Sequence, residues 1–187
     1  TLVSKSPRVY ASRPSQAGKA ILAQGGSAVD AAIATQLVLT LVEPQSSGLG
    51  GGAFSLFYDA QKQTIKTFDG RETAPLNSSE ELFMSDESSP MQFFEAVVGG
   101  RSVGTPGTIK LLWEMHKKYG VIPWKDLLAP AIDLANNGFK VSPRLAASVA
   151  RDQSRLILDG ETAAYFLGAE GRVTTLVLKI ANSETVP

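Results

Sequence analysis

One stretch, residues 43–75, constrains the fold more than any other part of the chain. It reads EPQSSGLGGGAFSLFYDAQKQTIKTFDGRETAP. The proline at its second position ends the helical pattern that precedes it, because the residue before a proline is disfavoured in helical geometry. The glycine-rich run 48–52 (GLGGG) follows and separates that helix from the next elements.

Two short segments after the glycines have the composition of β-strands. Residues 53–58 (AFSLFY) and 64–68 (TIKTF) are rich in β-branched and aromatic residues, and a polar connection separates them. They predict a hairpin whose second strand delivers Arg71 to a turn.

Helical patterns fill the rest of the chain. Ser27 with Asp30 three residues later is a capping box, and it predicts a helix that runs to residue 42 with almost every face apolar. Proline positions, glycine stops and apolar spacing predict further helices at 12–23, 107–119, 123–137 and from 143 onward, and a short one at 80–84. Helices around a hairpin place the chain in the α+β class.

Composition excludes several classes of function. Lys and Arg total 18, as do Asp and Glu, so the formal net charge is zero and neither nucleic acid nor an anionic membrane is indicated as a partner. The chain has no cysteine, which removes disulfides and thiolate metal sites. The most apolar run, residues 31–42, is too short to span a bilayer, so we predict no membrane span in this chain.

The glycine run at 48–52 has two interpretations. A dinucleotide-binding loop needs G-x-G-x-x-G between a strand and a following helix. Here a helix comes first and a strand follows, and no Lys-Ser or Lys-Thr pair of a phosphate-binding loop accompanies the glycines. We favour a tight turn that passes close to another segment, with glycine supplying backbone angles closed to other residues.

Two motifs at this spacing resemble one known family. Residues 48–54 (GLGGGAF), with 69–75 (DGRETAP) one hairpin later, are similar to the N-terminal half of the γ-glutamyltranspeptidase family. The resemblance covers about residues 7–179 and implies the N-terminal part of a large subunit. It implies the four-layer αββα sandwich of N-terminal-nucleophile hydrolases, of which residues 1–187 would be a part without an internal domain boundary. The segment after Lys179 resembles one that comes later in the sequences of the family. We therefore expect that residues are omitted after Lys179, with a divergent terminus as the alternative.

The resemblance also implies an acyl transfer. In the family, a threonine hydroxyl attacks the γ-amide of glutathione or a related compound, and water or an amino acid then takes the γ-glutamyl group. The nucleophile begins a small subunit released by self-cleavage of the same precursor, so the implied partner is that subunit and the implied ligand is a small γ-glutamyl substrate. No catalytic residue, metal or cofactor is implied in this chain, and a periplasmic or secreted location is favoured.

Arg71 is the candidate substrate-binding residue. A guanidinium offers a planar fork of donors that fits one carboxylate through two parallel hydrogen bonds. From the residues alone, an intramolecular pair with Glu72 or Asp69 is the alternative. The match of RETAP to the family motif implies that Arg71 holds the α-carboxylate of the γ-glutamyl substrate.

Thr1 and His116 are two other residues of types that can act in catalysis. A terminal threonine such as Thr1 can be a nucleophile with its own amine as base. The family's nucleophile lies in a Thr-Thr-His type sequence, however, which the start of this chain does not match. His116, the only histidine, is expected to be a solvated residue on the polar side of its helix, and one histidine cannot make a metal site.

Three alternatives stay open from the sequence. The complete protein could act on cephalosporin side chains, process a polyglutamate capsule, or be a catalytically silent homologue that only binds a partner or a carboxylate ligand. A Thr-Thr-His type junction further along the full reading frame would separate the enzymes from the silent homologue.

Overall fold

A computed structural model describes residues 12–86 and 88–167 of the chain. Thr1 and the expected omission after Lys179 lie outside these described residues. Helices and one antiparallel hairpin make up the described part, which confirms the mixed helix and strand content that the sequence predicts. None of the described helices is long and apolar enough to cross a membrane.

The hairpin and all the predicted helices except the short one at residues 80–84 are present. In chain order the described elements are α1 (Ser12–Ala23), α2 (Ala28–Val42), β1 (Ala53–Asp59), β2 (Thr64–Gly70), α3 (Phe93–Val97), a 3₁₀ turn (Gly100–Ser102), α4 (Thr108–Tyr119), α5 (Trp124–Asn137), α6 (Pro143–Leu156) and α7 (Gly160–Phe166).

The prediction of a short helix at residues 80–84 is wrong. These residues form turns, and Met84 makes an isolated bridge to Pro90. Just beyond them, Asp86 Oδ1 accepts the backbone N–H of Ser88 at 2.9 Å and its hydroxyl at 3.0 Å. Local side-chain bonds of this kind offer the backbone an alternative to a helix. The short helix of this region is α3, which the sequence pattern does not predict.

The chain divides into two compact units. One comprises Thr1–Gly48 and His116–Pro187, and the other comprises Leu49–Met115. The boundary before His116 falls within α4, so that helix contributes residues to both units. That both units belong to one domain of the complete protein stays a prediction.

The first unit is built around α2, which contacts α1 and α5. Ser27 Oγ accepts the Asp30 N–H at 3.1 Å and Asp30 Oδ2 accepts the Ser27 N–H at 2.8 Å, which confirms the predicted capping box. A side chain at Gly18 of α1 would collide with Thr35 of α2, so the two helices approach closely there. The most buried apolar side chains, each at most 2% exposed, are Ile21, Val29, Ile33, Ala34, Val38, Leu127 and Leu145.

The end of α2 is tied to the start of α6 through Glu43. Its side chain is 7% exposed, and Glu43 Oε2 accepts from Arg144 Nη1 at 2.5 Å and from Gln45 Nε2 at 2.6 Å. Glu43 Oε1 accepts from the Ser142 hydroxyl at 3.1 Å. Because a buried carboxylate is stable only when it is paired and hydrogen-bonded, these contacts fix the turn that leads into the glycine run.

The second unit contains the hairpin and the first two turns of α4. β1 and β2 pair from Ala53 opposite Gly70 to Asp59 opposite Thr64. Gly70 brings α4 close to the end of β2, since a β-carbon at this position would lie 2.6 Å from Leu111 Cβ. Leu111, Leu112 and Met115 of α4 are at most 6% exposed and form the apolar core of this unit.

Candidate functional site

Arg71 lies immediately after β2, where the chain leaves the hairpin. Asp69 Oδ1 accepts the backbone N–H of Arg71 at 2.8 Å. An aspartate that bonds the backbone two residues on is a standard turn former, and here it directs the chain away from the strand. The Arg71 side chain is 71% exposed, so the turn presents its guanidinium to ligands.

Glu72 is the intramolecular partner of Arg71. Arg71 Nε lies 3.5 Å from Glu72 Oε2, while the other candidate acid, Asp69, binds the backbone instead. An exposed ion pair of this kind contributes little to stability on its own. Arg71 pairs with Glu72 through Nε, and within the described part of the chain its two terminal nitrogens make no hydrogen bond. The pair with Glu72 therefore orients the guanidinium and leaves its terminal nitrogens for a ligand.

The glycine run holds the carboxylate of Glu72. A β-carbon at Gly52 would lie 2.5 Å from Glu72 Oε2 and 2.6 Å from Gly70 O, so Glu72 occupies the space that a side chain there would fill. This confirms the interpretation of the run as a close approach of two segments. Gly48, Gly50 and Gly52 do not adopt left-handed backbone angles, however, and no atom lies within 4 Å of a β-carbon at Gly48 or Gly50. Glycine is needed at position 52 for space and not for its backbone freedom.

The charge of Glu72 is stabilised by this arrangement. The backbone amides of Glu72 itself and of Gly52, and then the nearby Arg71 charge, hold the pKa of the Glu72 carboxyl below its ordinary value despite partial burial. Glu72 is therefore a carboxylate at neutral pH and can orient Arg71.

A second backbone segment supports the turn that carries Arg71. Thr105 donates its N–H to Thr73 O at 2.8 Å, and a β-carbon at Gly104 would lie 2.9 Å from Glu72 Cβ. The other end of the glycine run is held as well, because Gly51 O accepts the backbone N–H of Thr108 at 3.1 Å and its hydroxyl at 2.9 Å. Arg71 is thus exposed on a segment whose backbone is fixed on both sides.

A cleft of about 300 Å³ opens beside Arg71. Its lining includes Arg71, Glu72, Leu82, Arg101 and Ser102. The volume is at the lower end of the range for small-molecule sites. Arg101 could not be identified from the sequence, since its only local signal is a cationic residue after two glycines.

The prediction that His116 is solvated is wrong. Its side chain is only 14% exposed, and its Nε2 lies 2.8 Å from Ile122 O and 3.8 Å from Asp30 Oδ1. The ring also packs edge-on against Trp124, with centroids 5.3 Å apart. The chain that follows Gly120 covers the histidine, although two lysines follow it directly in the sequence. His116 therefore has a packing role in the first unit.

Asp30 ties the same loop to the start of α2. Its Oδ2 accepts the N–H groups of Val121 at 2.9 Å and Ile122 at 3.3 Å, besides that of Ser27. Burial raises the pKa of Asp30, but the hydrogen bonds from these three amides outweigh it and hold the pKa below its ordinary value. This carboxylate is structural. Among the described residues, no group of three or more His, Cys, Asp or Glu could hold a metal ion.

The chain is similar to known proteins over most of its length. Residues 14–184 match the family model described as gamma-glutamyltranspeptidase. The chain is 40% identical over 147 residues to glutathione hydrolase 3 of Arabidopsis thaliana, which covers 79% of this chain and 22% of that protein. It is 37% identical over 156 residues to a glutathione hydrolase proenzyme of Bacillus subtilis, which covers 82% of this chain and 27% of that protein.

Solved structures agree with these relatives. The crystal structure of Helicobacter pylori gamma-glutamyltranspeptidase superimposes with a TM-score of 0.83 at 29% sequence identity, covering 95% of this chain and 49% of that chain. The chain thus spans 22% and 27% of the length of the two curated relatives and half of the solved structure.

Proposed function

The chain belongs to the γ-glutamyltranspeptidase family, and from that premise we propose that it is the N-terminal part of the large subunit of a glutathione hydrolase. The complete protein cleaves γ-glutamyl amides and passes the γ-glutamyl group to water or to an amino acid. The observation that carries this proposal is Arg71, exposed at the edge of a cleft on a backbone segment fixed by the glycine run. Both curated relatives above are named glutathione hydrolases, which favours this function over cephalosporin acylation, capsule processing or silent binding.

Arg71 binds the α-carboxylate of the γ-glutamyl group in this proposal. Its terminal nitrogens can make two parallel charge-assisted hydrogen bonds to one carboxylate. Glu72 keeps the guanidinium in place through Nε, and Gly52 makes room for Glu72. The two motifs at the ends of the hairpin therefore cooperate in one task, which is to fix a carboxylate-binding arginine before substrate arrives.

The chemistry itself uses a nucleophile that we place outside this chain. A threonine hydroxyl attacks the γ-carbonyl carbon, the C–N bond breaks, and the amine leaves with a proton. The γ-glutamyl ester then reacts with water or with an amine, which returns the threonine. Arg71 moves no proton in either step; it fixes the γ-carbonyl relative to the attacking oxygen.

The exposed face of the hairpin supports a larger fold. Phe54, Leu56, Tyr58 and Ile65 lie on one face and are 68%, 76%, 59% and 66% exposed. A two-stranded hairpin is marginal alone, and a contiguous exposed apolar face marks a contact surface. We infer that the rest of the precursor covers this face and completes the four-layer αββα sandwich.

The partner in that sandwich is the small subunit released from the same precursor. The Bacillus subtilis relative is named a proenzyme, which supports a precursor that is processed into its active form. The heterodimer needs no nucleic acid and no cofactor for the reaction as proposed.

The test compares this chain with the complete precursor. Residues 1–187 alone should not turn over a γ-glutamyl anilide, because the attacking atom is absent. The complete protein should cleave itself into two chains and then release the aniline and glutamate. A processed complete protein without γ-glutamyl activity would support the alternative of a catalytically silent homologue. Turnover by residues 1–187 alone would contradict the proposal and would indicate Thr1 as the nucleophile.

A further inference from the structure

The cleft beside Arg71 contains a second guanidinium, that of Arg101. Arg101 lies in the 3₁₀ turn, and its Nη1 donates to Leu82 O at 2.8 Å. Apart from this hydrogen bond, Arg101 has no ion pair or other polar contact within the described residues. Its side chain is thus anchored at one nitrogen and keeps its remaining N–H donors for a ligand.

The charge of the cleft is positive in a chain whose formal net charge is zero. Of the described residues that line it, Arg71 and Arg101 are cationic and Glu72 is the one acid. Glu72 is already committed to Arg71 and to the glycine run. The charge of Arg101 is therefore the uncompensated one, and the ligand that fits it is an anion.

The two arginines are held on one framework. Gly104 and Thr105 follow the 3₁₀ turn after one intervening residue, Val103, and they contact Glu72 and Thr73. Arg71 is the residue before Glu72, so the segments that carry the two guanidiniums are joined by backbone contacts within the second unit. A site with two cationic side chains on one backbone framework selects a ligand with two anionic groups.

We propose that Arg101 is a specificity-determining residue that binds a second carboxylate, that of the peptide which leaves when the γ-glutamyl group is transferred. This inference rests on the proposed function. A γ-glutamyl peptide carries an α-carboxylate on the glutamyl side of the scissile amide and a C-terminal carboxylate on the other side. Arg71 takes the first and Arg101 the second, so the cleft favours γ-glutamyl peptides over donors with a neutral leaving group.

The experiment uses the complete processed enzyme and two donors. Glutathione has the second carboxylate, and a γ-glutamyl anilide does not. Arg101→Gln should raise the KM for glutathione about tenfold while kcat changes little, because the contact is made in ground state and transition state alike. The KM for the anilide should stay within about twofold of the wild-type value. Arg101→Lys, which keeps the charge and loses the fork, should give an intermediate KM for glutathione.

Arg151→Gln is the matched control. Arg151 is exposed on α6 in the first unit, and among the described residues its side chain bonds only to Ser148 Oγ, at 3.3 Å. The same change of residue and charge at that position should leave the KM of both donors unchanged.

The outcomes separate this inference from the proposed function. Turnover of neither donor by the wild-type enzyme overturns the proposed function, and the inference falls with it. Turnover of both donors, with Arg101→Gln changing the two KM values by the same factor or not at all, overturns the inference alone. If Arg101→Gln does not fold, the wild type decides: its KM for glutathione should rise more steeply with salt than its KM for the anilide, and equal salt dependence contradicts the second carboxylate site.

Discussion

The carboxylate of Glu72 lies in the space that a side chain at Gly52 would fill, with Glu72 Oε2 only 2.5 Å from where a β-carbon would stand. This contact joins the glycine run before β1 to the motif after β2. This contact explains why the residue before the hairpin is a glycine in a chain that exposes Arg71 after the hairpin. A larger residue at position 52 would displace Glu72, and with it the partner of the Arg71 Nε atom.

Gly52→Ala should destabilise the complete protein by about 1–3 kcal/mol, because the methyl group overlaps Glu72 and the carbonyl of Gly70. Urea unfolding of the variant and the wild type measures the difference. Gly50→Ala is the control, since its β-carbon meets no atom within 4 Å. It should be neutral or slightly stabilising, by up to roughly 1 kcal/mol. Equal effects of the two variants would show that Gly52 is merely part of a permissive loop.

Arg144→Ala should destabilise the complete protein by about 1–3 kcal/mol, since it removes the cation from a carboxylate that is 7% exposed. A double-mutant cycle with Glu43→Gln measures the coupling between the two side chains. Arg151→Ala on the same helix is the control and should cost no more than about 0.5 kcal/mol. A coupling energy of zero would mean that Ser142 and Gln45 satisfy Glu43 without the arginine.

The elements that could be predicted have local causes. Ser27 and Asp30 are three residues apart, so the start of α2 is specified by its own sequence, and Pro44 stops it in the same way. The hairpin is predictable because its two strands are separated by a short polar turn. Exposure of Arg71 follows from the turn that Asp69 forms two residues before it.

The features that could not be predicted depend on contacts far apart in the sequence. His116 is covered because the loop at Val121 and Ile122 is drawn to Asp30, about 90 residues earlier in the chain. Arg101 lines the cleft because Thr105 bridges to Thr73. Neither contact can be predicted from the residues that are next to His116 or Arg101 in the sequence.

Asp30→Ala should destabilise the complete protein by roughly 2–4 kcal/mol, because three backbone N–H groups lose their acceptor. The stability is also pH-dependent. Since the pKa of Asp30 is lower in the folded state than its ordinary 3.8, its contribution is present above that value and is lost as the pH falls through the folded-state pKa. Melting temperatures of wild type and Asp30→Asn should therefore converge in acid. A constant gap between pH 7 and pH 2, with both proteins still folded at the start of each scan, would contradict this role.

Arg71→Lys provides the sharpest test of the site, because it keeps the charge and removes the planar fork. If the guanidinium binds the substrate α-carboxylate, the complete enzyme should lose roughly 2–5 kcal/mol of substrate binding, seen mainly as a raised KM. Some fall in kcat is expected as well, because a poorly held substrate drifts from the nucleophile. Self-cleavage should survive, since the precursor's own peptide presents no α-carboxylate at that point.

A substrate analogue without the α-carboxylate decides between the two roles of Arg71. Wild type and Arg71→Lys should turn over this analogue equally poorly, because neither can form the bidentate contact. If the variant instead loses the same factor on the analogue as on the normal substrate, Arg71 acts only as the partner of Glu72. In that case the only role of Arg71 is its ion pair with Glu72, in which Nε lies 3.5 Å from Oε2. The site that binds the substrate α-carboxylate then lies elsewhere in the complete protein.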